Sequence, residues 1–268
     1  MESCRTKRIA VMKFGGSILA DDESYFRAAR FVVRRLHECS AERFLVVVSA
    51  QKGVTDDLER LARGIASCPG QRTLDLLWAT GELRSVALLA LHLEEMGVTA
   101  VGFNIHEAGL RLGGVNSSHF SVTSLSTELR RAFDDCSVVV APGFFATLVN
   151  GMIVSLGRGG ADLSAVLLAD ALDAERCELI KDVNGYFSED PHLGRRALHL
   201  PELSYETALK LADDGCELVQ RRALEAARQA GLRLVVRGIG EDAPASIVSE
   251  NGVRKGCGSF GLGRTLRI

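Results

Sequence analysis

Lysine is scarce in this chain. Arginine supplies most of the 32 basic residues, and only six are lysine. A lysine in an unusual setting therefore carries extra weight. An excess of positive charge is also missing. The 34 acidic residues leave a formal net charge of −2, which offers no global basic field for nucleic acid or an anionic membrane. The cysteines lack CxxC spacing. Cys4, Cys39, Cys68, Cys136, Cys177, Cys216 and Cys257 are scattered and odd in number. This argues against a disulfide framework and a zinc site, and no metal-ligating residues are assigned. It predicts reduced thiols in a cytoplasmic protein. The histidines (His37, His92, His106, His119, His192 and His199) show no metal spacing. No GxSxG motif is present, so acyl-enzyme hydrolysis has no support. No window approaches the ~20 apolar residues that span a bilayer. The opening "MESCRTKRIAVMKFGG" is charged and does not read as a signal peptide. Neither a short repeat nor a low-complexity linker interrupts the chain.

What is present is alternation. The 268 residues, 47% of them hydrophobic, suffice for one large α/β domain or two small ones. Strands are expected at 8–14, 43–50, 99–104, 137–144, 233–238 and 245–249, with another within 151–162 and one in 177–187 that runs into an Asn-Gly turn. Helices are expected at 22–38, 56–67, about 73–96, 126–135, 162–172, 204–213 and 217–230. The helix over 126–135 lacks a full capping box, because Leu129 stands where an acid is wanted. Strand–helix alternation implies an α/β, three-layer αβα sandwich with a mainly parallel central sheet. Two lobes are expected, about 8–150 and 151–250, followed by a loose basic tail over 251–268. Ligands of such sheets sit beyond the carboxyl ends of the strands. Lys13, Ser49, Asn104, Gly143, Arg158 and Asp182 fall at those ends.

Two glycine turns draw attention. "KFGGS" (13–17) follows the first strand and matches neither GxxxxGK[ST] nor GxGxxG. Adjacent glycines let backbone N–H groups approach an anion, and Lys13 would add a point charge. The same residues also suit a tight turn with a solvent-facing lysine. "LGRGGAD" (156–162) repeats the theme with Arg158 between glycines and Asp162 opening a helix. A guanidinium there can grip a carboxylate through two parallel hydrogen bonds. Asp162 could instead cap its helix, and Arg158 could decorate a turn. Glu82 opens an apolar stretch, where a lone glutamate most simply complements the helix dipole.

Taken in order, "KFGGS", "VVVSAQKGVTDDL" (46–58), "TGE" (80–82), "PGF" (142–144), "SLGRGGADLSAVLLADAL" (155–172) and "KDVNGYFSEDP" (181–191) resemble the aspartokinase catalytic domain of the amino acid kinase family. The resemblance runs from about residue 8 to 249. It implies the amino acid kinase fold and ATP- and Mg2+-dependent phosphorylation of a carboxylate, with L-aspartate giving 4-phospho-aspartate. By motif, Lys13 would stabilise the transferred phosphoryl group, and Gly15, Gly16 and Ser17 would offer donors to the phosphates. Ser49 and Thr55 match acceptor-site hydroxyls, and Phe144 matches an aromatic wall. Glu82 matches the residue holding the substrate ammonium, Arg158 the one binding its α-carboxylate, and Asp162 a neighbour in the site. Lys181, Asp182 and Phe187 fall on the nucleotide side. The resemblance also implies a homodimer.

The departures gather on that nucleotide side. Lys181, Phe187, His192 and Glu217 replace the threonine, tyrosine, arginine and lysine usual in the family. Glu217 sets a negative charge where a phosphate-binding cation is expected. Only about 19 residues follow the last strand, so ACT-type regulatory domains and their feedback control are not expected. Two alternatives stand beside aspartate kinase. One is a same-fold kinase for another small amino acid, acid or phosphonate. The other is a non-catalytic amino-acid-binding or regulatory subunit.

Overall fold

The computed structural model describes residues 8–40, 42–113, 122–189, 197–240 and 244–250. His192, Cys4, Cys257, His119 and the tail over 251–268 lie outside them. The chain alternates as β1 (Arg8–Phe14), α1 (Asp22–Glu38), β2 (Glu42–Val48), α2 (Val54–Ile65), α3 (Gln71–Glu95) and β3 (Ala100–Gly102). Next come α4 (Ile105–Ala108), β4 (Arg111–Leu112), β5 (Val122–Ser124), α5 (Thr127–Asp135), β6 (Val138–Pro142), β7 (Phe145–Leu148) and β8 (Ile153–Ser155). Then follow α6 (Gly160–Ala171), β9 (Cys177–Lys181), β10 (Tyr186–Phe187), β11 (His199–Leu200) and β12 (Glu202–Ser204). The last described elements are α7 (Tyr205–Asp213), α8 (Arg221–Gln229), β13 (Leu234–Gly238) and β14 (Ala245–Ser249).

An eight-stranded sheet runs β12-β14-β13-β9-β1-β2-β6-β3. Its neighbours pair in parallel except β13 with β14. Side chains alternate between faces along each strand, and each face is covered. Met12, Phe14, Val46, Val48 and Ile180 pack with Tyr25, Phe31, Val86 and Leu89 of α1 and α3. Val11, Leu45, Val47 and Leu179 pack with Leu163, Val166 and Leu167 of α6, and with Leu224 of α8. This is the expected three-layer sandwich. Smaller sheets, β5-β4-β7-β8 and β10-β11, flank it.

Helix α1 occupies the predicted residues. Asp21 caps it by accepting the Ser24 N–H at 2.8 Å, and Ser24 reciprocates toward the Asp21 N–H. Helix α5 does have its cap despite Leu129: the Ser126 hydroxyl accepts the Leu129 N–H at 3.2 Å. The strand that opens 177–187 ends at Lys181, ahead of the expected Asn-Gly turn, where Gly185 has φ +92°. The expected helix over 217–230 begins only at Arg221, so Glu217 sits exposed in the α7–α8 turn. Helix α3 is long and apolar enough to cross a membrane by length and composition. Here it packs against the sheet through Val86, Leu89 and Leu93.

The amino-terminal ends of the central strands are tied by buried charges. Arg176 grips both oxygens of Glu42, at 3.1 and 2.8 Å, and donates to Glu178 at 2.7 Å. Arg35 reaches the same Glu178 oxygen at 3.0 Å. Such buried pairs add little net stability, yet losing one partner strands the others. The five described cysteines Cys39, Cys68, Cys136, Cys177 and Cys216 are free thiols.

Candidate functional site

The carboxyl ends of β9, β1, β2 and β6 lie side by side, and backbone hydrogen bonds extend their registry past the strands. Ser49 N–H donates to the Phe14 carbonyl at 3.1 Å, and Gly143 N–H to the Val48 carbonyl at 2.8 Å. Three loops are thereby held together. Gly16 fits because a Cβ there would stand 2.8 Å from the Ala50 carbonyl oxygen. Lys52 N–H donates to the Leu19 carbonyl at 3.2 Å, and the Gln51 amide to the Ala20 carbonyl at 2.9 Å.

Lys13 shares the face of β1 that packs on α6. Leu179 is its register partner on β9, so Lys181, two residues on, belongs to the same face. Both ammoniums meet Asp162 in the first turn of α6. Lys13 Nζ lies 2.7 Å from Oδ1 and Lys181 Nζ 2.7 Å from Oδ2. Lys181 donates a hydrogen bond, whereas Lys13 meets its oxygen off the direction of one. Burial alone would raise the Asp162 carboxyl. The two cations outweigh it and hold the group at about 2. Burial also lowers the Lys181 ammonium below the usual lysine range, against the pull of Asp162. A Cβ at Gly15 would lie 3.4 Å from Lys13 Nζ, so glycine keeps the turn beside that ammonium slim.

Helix α6 begins after Gly157 and Gly159, both with positive φ, and Gly159 offers no side-chain cap. Gly160 and Asp162 N–H donate within this turn, to the Gly157 and Gly159 carbonyls at 2.8 and 3.1 Å, so what the helix start offers an anion is chiefly its dipole. Arg158 projects from this turn and is exposed. The start of α8 braces the turn from behind. The Gln220 side chain fills the space that a Cβ on Gly159 would take, and Arg222 donates to the Leu156 carbonyl at 2.9 Å.

Glu82 lies mid-way along α3, 4% exposed. Its carboxyl accepts the Ala50 backbone N–H and senses Lys13. Desolvation outweighs both and pushes it up to about 8. Its Oε2 is buried without a hydrogen-bond partner. A buried carboxylate with a spare oxygen suits an incoming ammonium. Gly81 lets α3 close on this region, since a Cβ there would already be 3.0 Å from Val54 and 3.1 Å from Ala50.

Phe144 adopts a left-handed backbone, φ +67°. That conformation costs about 1–3 kcal/mol for a bulky residue. Hydrogen bonds hold it: its N–H donates to Ser164 Oγ at 3.1 Å, and its carbonyl accepts the Leu156 N–H at 2.8 Å. Its ring leans on Trp78, 6.2 Å between centroids, and on Phe145 at 4.9 Å. Gly160 clears the way, because a Cβ there would be 3.0 Å from the Phe144 ring.

The structure therefore joins Lys13, Asp162 and Lys181 directly, with Gly15, Gly16 and Glu82 around them. Ser49 and Thr55 sit half-buried on the neighbouring loop and the first turn of α2. Ser17 and Asp182 are exposed at the same strand ends. Phe187 is half-buried on β10 and packs edge-on against His199 at 5.4 Å. Sequence reasoning missed Trp78 and Ser164. The signals were present: Trp78 precedes Glu82 by one helical turn, and Ser164 follows Asp162 by two residues.

A family model described as the amino acid kinase family matches residues 8–238. An aspartokinase from Geobacillus stearothermophilus is 36% identical over 242 residues, covering 90% of this chain and 59% of that protein. The chain thus spans little more than half the length of the curated relatives it matches. The aspartate kinase from Synechocystis superposes with a TM-score of 0.76 at 34% identity, over 91% of this chain and 40% of that one. A uridylate kinase from Archaeoglobus fulgidus shares the fold, with a TM-score of 0.63 at 16% identity, over 90% of this chain and 99% of that one.

Proposed function

The chain belongs to the amino acid kinase family, and we propose that it is an aspartate kinase, moving the γ-phosphoryl group of ATP onto the side-chain carboxylate of L-aspartate to give 4-phospho-aspartate. One observation carries this reading. A paired lysine and aspartate, Lys13 and Asp162, stand beneath a glycine turn, and a buried glutamate with a free oxygen stands nearby. The 36% identity to an aspartokinase supports the choice of acceptor.

The chemistry asks for placement and charge rather than a base. An aspartate carboxyl is ionised at neutral pH, with an ordinary pKa of about 3.9. Its oxygen forms the new P–O bond, the bond from the γ-phosphorus to the bridging oxygen breaks, and the electron pair leaves on ADP. Lys13 neutralises charge on the transferring group, with Asp162 fixing the ammonium. Gly15, Gly16 and Ser17 offer N–H donors to the phosphates, and the dipole of α6 adds positive potential. Glu82 takes the substrate ammonium, and Arg158 takes its α-carboxylate through a bidentate pair. Ser49 and Thr55 line the acceptor loop, and Phe144 on Trp78 makes the apolar wall. Asp182 and Phe187 serve the nucleotide side.

Among the described residues no cluster of three or more metal-ligating side chains forms. Mg2+ keeps waters and phosphate oxygens and needs only one or two protein carboxylates. Asp182 is the exposed carboxylate beside the nucleotide side. When bound, the ion neutralises phosphate charge.

The test is incubation of the purified protein with ATP, Mg2+ and a panel of small carboxylic acids in hydroxylamine. Hydroxamate formed chiefly from L-aspartate is expected. Hydroxamate from a different acid only would reassign the acceptor. None from any acid, with the fold and ligand binding intact, contradicts the kinase reading and favours a binding subunit.

A further inference from the structure

Two buried ammoniums share one buried carboxylate, and that leaves a charge unbalanced. The Lys13, Lys181 and Asp162 side chains are 7%, 14% and 4% exposed. With Asp162 ionised, the trio carries one net positive charge. Glu82 senses Lys13 but is held largely protonated at neutral pH by burial, and Asp182, which acts on Lys181, faces solvent. An uncompensated buried charge is costly unless an anion arrives to meet it. The positive end of the α6 dipole, the slim Gly15 turn and the two ammoniums converge on that position. An anion there is met from β1, from β9 and from the helix.

We propose that Lys181, at the end of β9, is a second phosphoryl-facing cation of this enzyme, and that Asp162 sets the spacing of Lys181 and Lys13 so that both contact the transferring group. The inference rests on the kinase reading above and deepens it. Three features of the fold support the assignment. The β1–β9 register sets Lys181 on the face of Lys13, rather than on the opposite face with Ile180. Asp162 uses a separate oxygen for each lysine, so neither displaces the other. The α7–α8 turn, though it adjoins the glycine turn through Gln220, presents Glu217 to solvent and supplies no cation at that residue. As the γ-phosphoryl group separates from ADP, its equatorial oxygens spread charge between the two ammoniums, and no proton transfer is required.

Two measurements test this on the full chain. Steady-state kinetics of Lys181→Met, Lys181→Gln and Lys181→Arg come first. Methionine and glutamine should lower kcat about 100-fold or more, the usual scale for losing one transition-state donor. Arginine should recover part of that loss, and KM for the amino acid should stay within about threefold. A purely structural lysine would lower the melting temperature and leave kcat of the folded enzyme unchanged. Lys181→Met or Lys181→Gln with parental kcat overturns the proposal. Calorimetric titration with inorganic tripolyphosphate comes second and needs no turnover. Affinity should fall about tenfold in Lys181→Gln and stay near parental in Glu217→Ala. Equal affinity in parent and Lys181→Gln overturns the proposal even if the parent proves inactive, an outcome that would separately refute the kinase reading.

Discussion

Lys13 and Asp162 face each other at 2.7 Å, one from the carboxyl end of a central strand and the other from the first turn of the helix packed on it. The pair has a consequence for acid stability. The Asp162 carboxyl stands at about 2 in the folded chain, below its ordinary 3.8. As pH falls, the unfolded chain takes up this proton first, so folding loses support. The contribution is complete above about pH 4 and fades toward pH 2. It is on the order of 2 kcal/mol for a shift of this size. Urea midpoints of the parent and Asp162→Asn should therefore converge between pH 4 and 2. At pH 7 the variant should be the less stable by a few kcal/mol, because two buried ammoniums lose their counter-charge.

Glu82 runs the opposite way. Burial raises it to about 8 from an ordinary 4.5, so the folded chain holds this proton more tightly than the unfolded one. Stability from the group is present below about pH 4.5 and is lost as pH rises toward 8. Ammonium binding needs the ionised form. Amino acid affinity should therefore improve nearly tenfold per pH unit from pH 6 to 7, and level off above about 8. Glu82→Gln should flatten that profile and raise KM for the amino acid about 10- to 100-fold, with a smaller change in kcat. Isothermal titration across the pH series reads both effects.

Arg158 is exposed at the glycine turn. A lysine keeps the charge but not the guanidinium fork. Arg158→Lys should raise KM for the amino acid about tenfold, leave KM for ATP near parental and keep the melting temperature. Steady-state kinetics with each substrate varied in turn separate these effects.

Gly16 offers a test of the loop packing. A methyl group there would stand 2.8 Å from the Ala50 carbonyl oxygen, which is backbone and cannot swing aside. Gly16→Ala should cost roughly 1–3 kcal/mol of stability, the usual range for overpacking. It should weaken ATP binding with it, since hydrogen bonds from Gln51 and Lys52 tie the 15–20 and 49–53 loops together. Gly53→Ala is a poor comparison because φ there is +84°, but Gly70→Ala meets open space and should be nearly silent. Thermal denaturation distinguishes them.

Long periodic elements were readable from the residues. Helix α1 and strand β1 fall where their patterns place them, because Asp21 caps the one and an uninterrupted apolar run defines the other. Of the small sheet only β8 was readable, inside the strand expected within 151–162, while β4, β5 and β7 were not. Those strands of two to four residues are too short to show a period. Lys13, Glu82 and Asp162 announced themselves by motif. The partner of Lys181 did not. Its pairing with Asp162 depends on β9 lying against β1 in one register, and a one-residue slip would have turned Lys181 to the other face. Trp78 went unread because a lone aromatic in an apolar helix most simply belongs to a core, and only its contact with Phe144 sets it beside that ring.

The most direct measurement follows an oxygen atom. L-Aspartate labelled with oxygen-18 in its side-chain carboxylate is incubated with the protein, ATP, Mg2+ and hydroxylamine. Hydroxylamine attacks the acyl carbon, so phosphate leaves with the oxygen that joined it to the carboxylate. Phosphate carrying one oxygen-18, in amounts matching the hydroxamate and abolished in Lys13→Ala, is the predicted result. Phosphate released without label would mean that water, not a carboxylate, accepts the phosphoryl group, and would contradict the account.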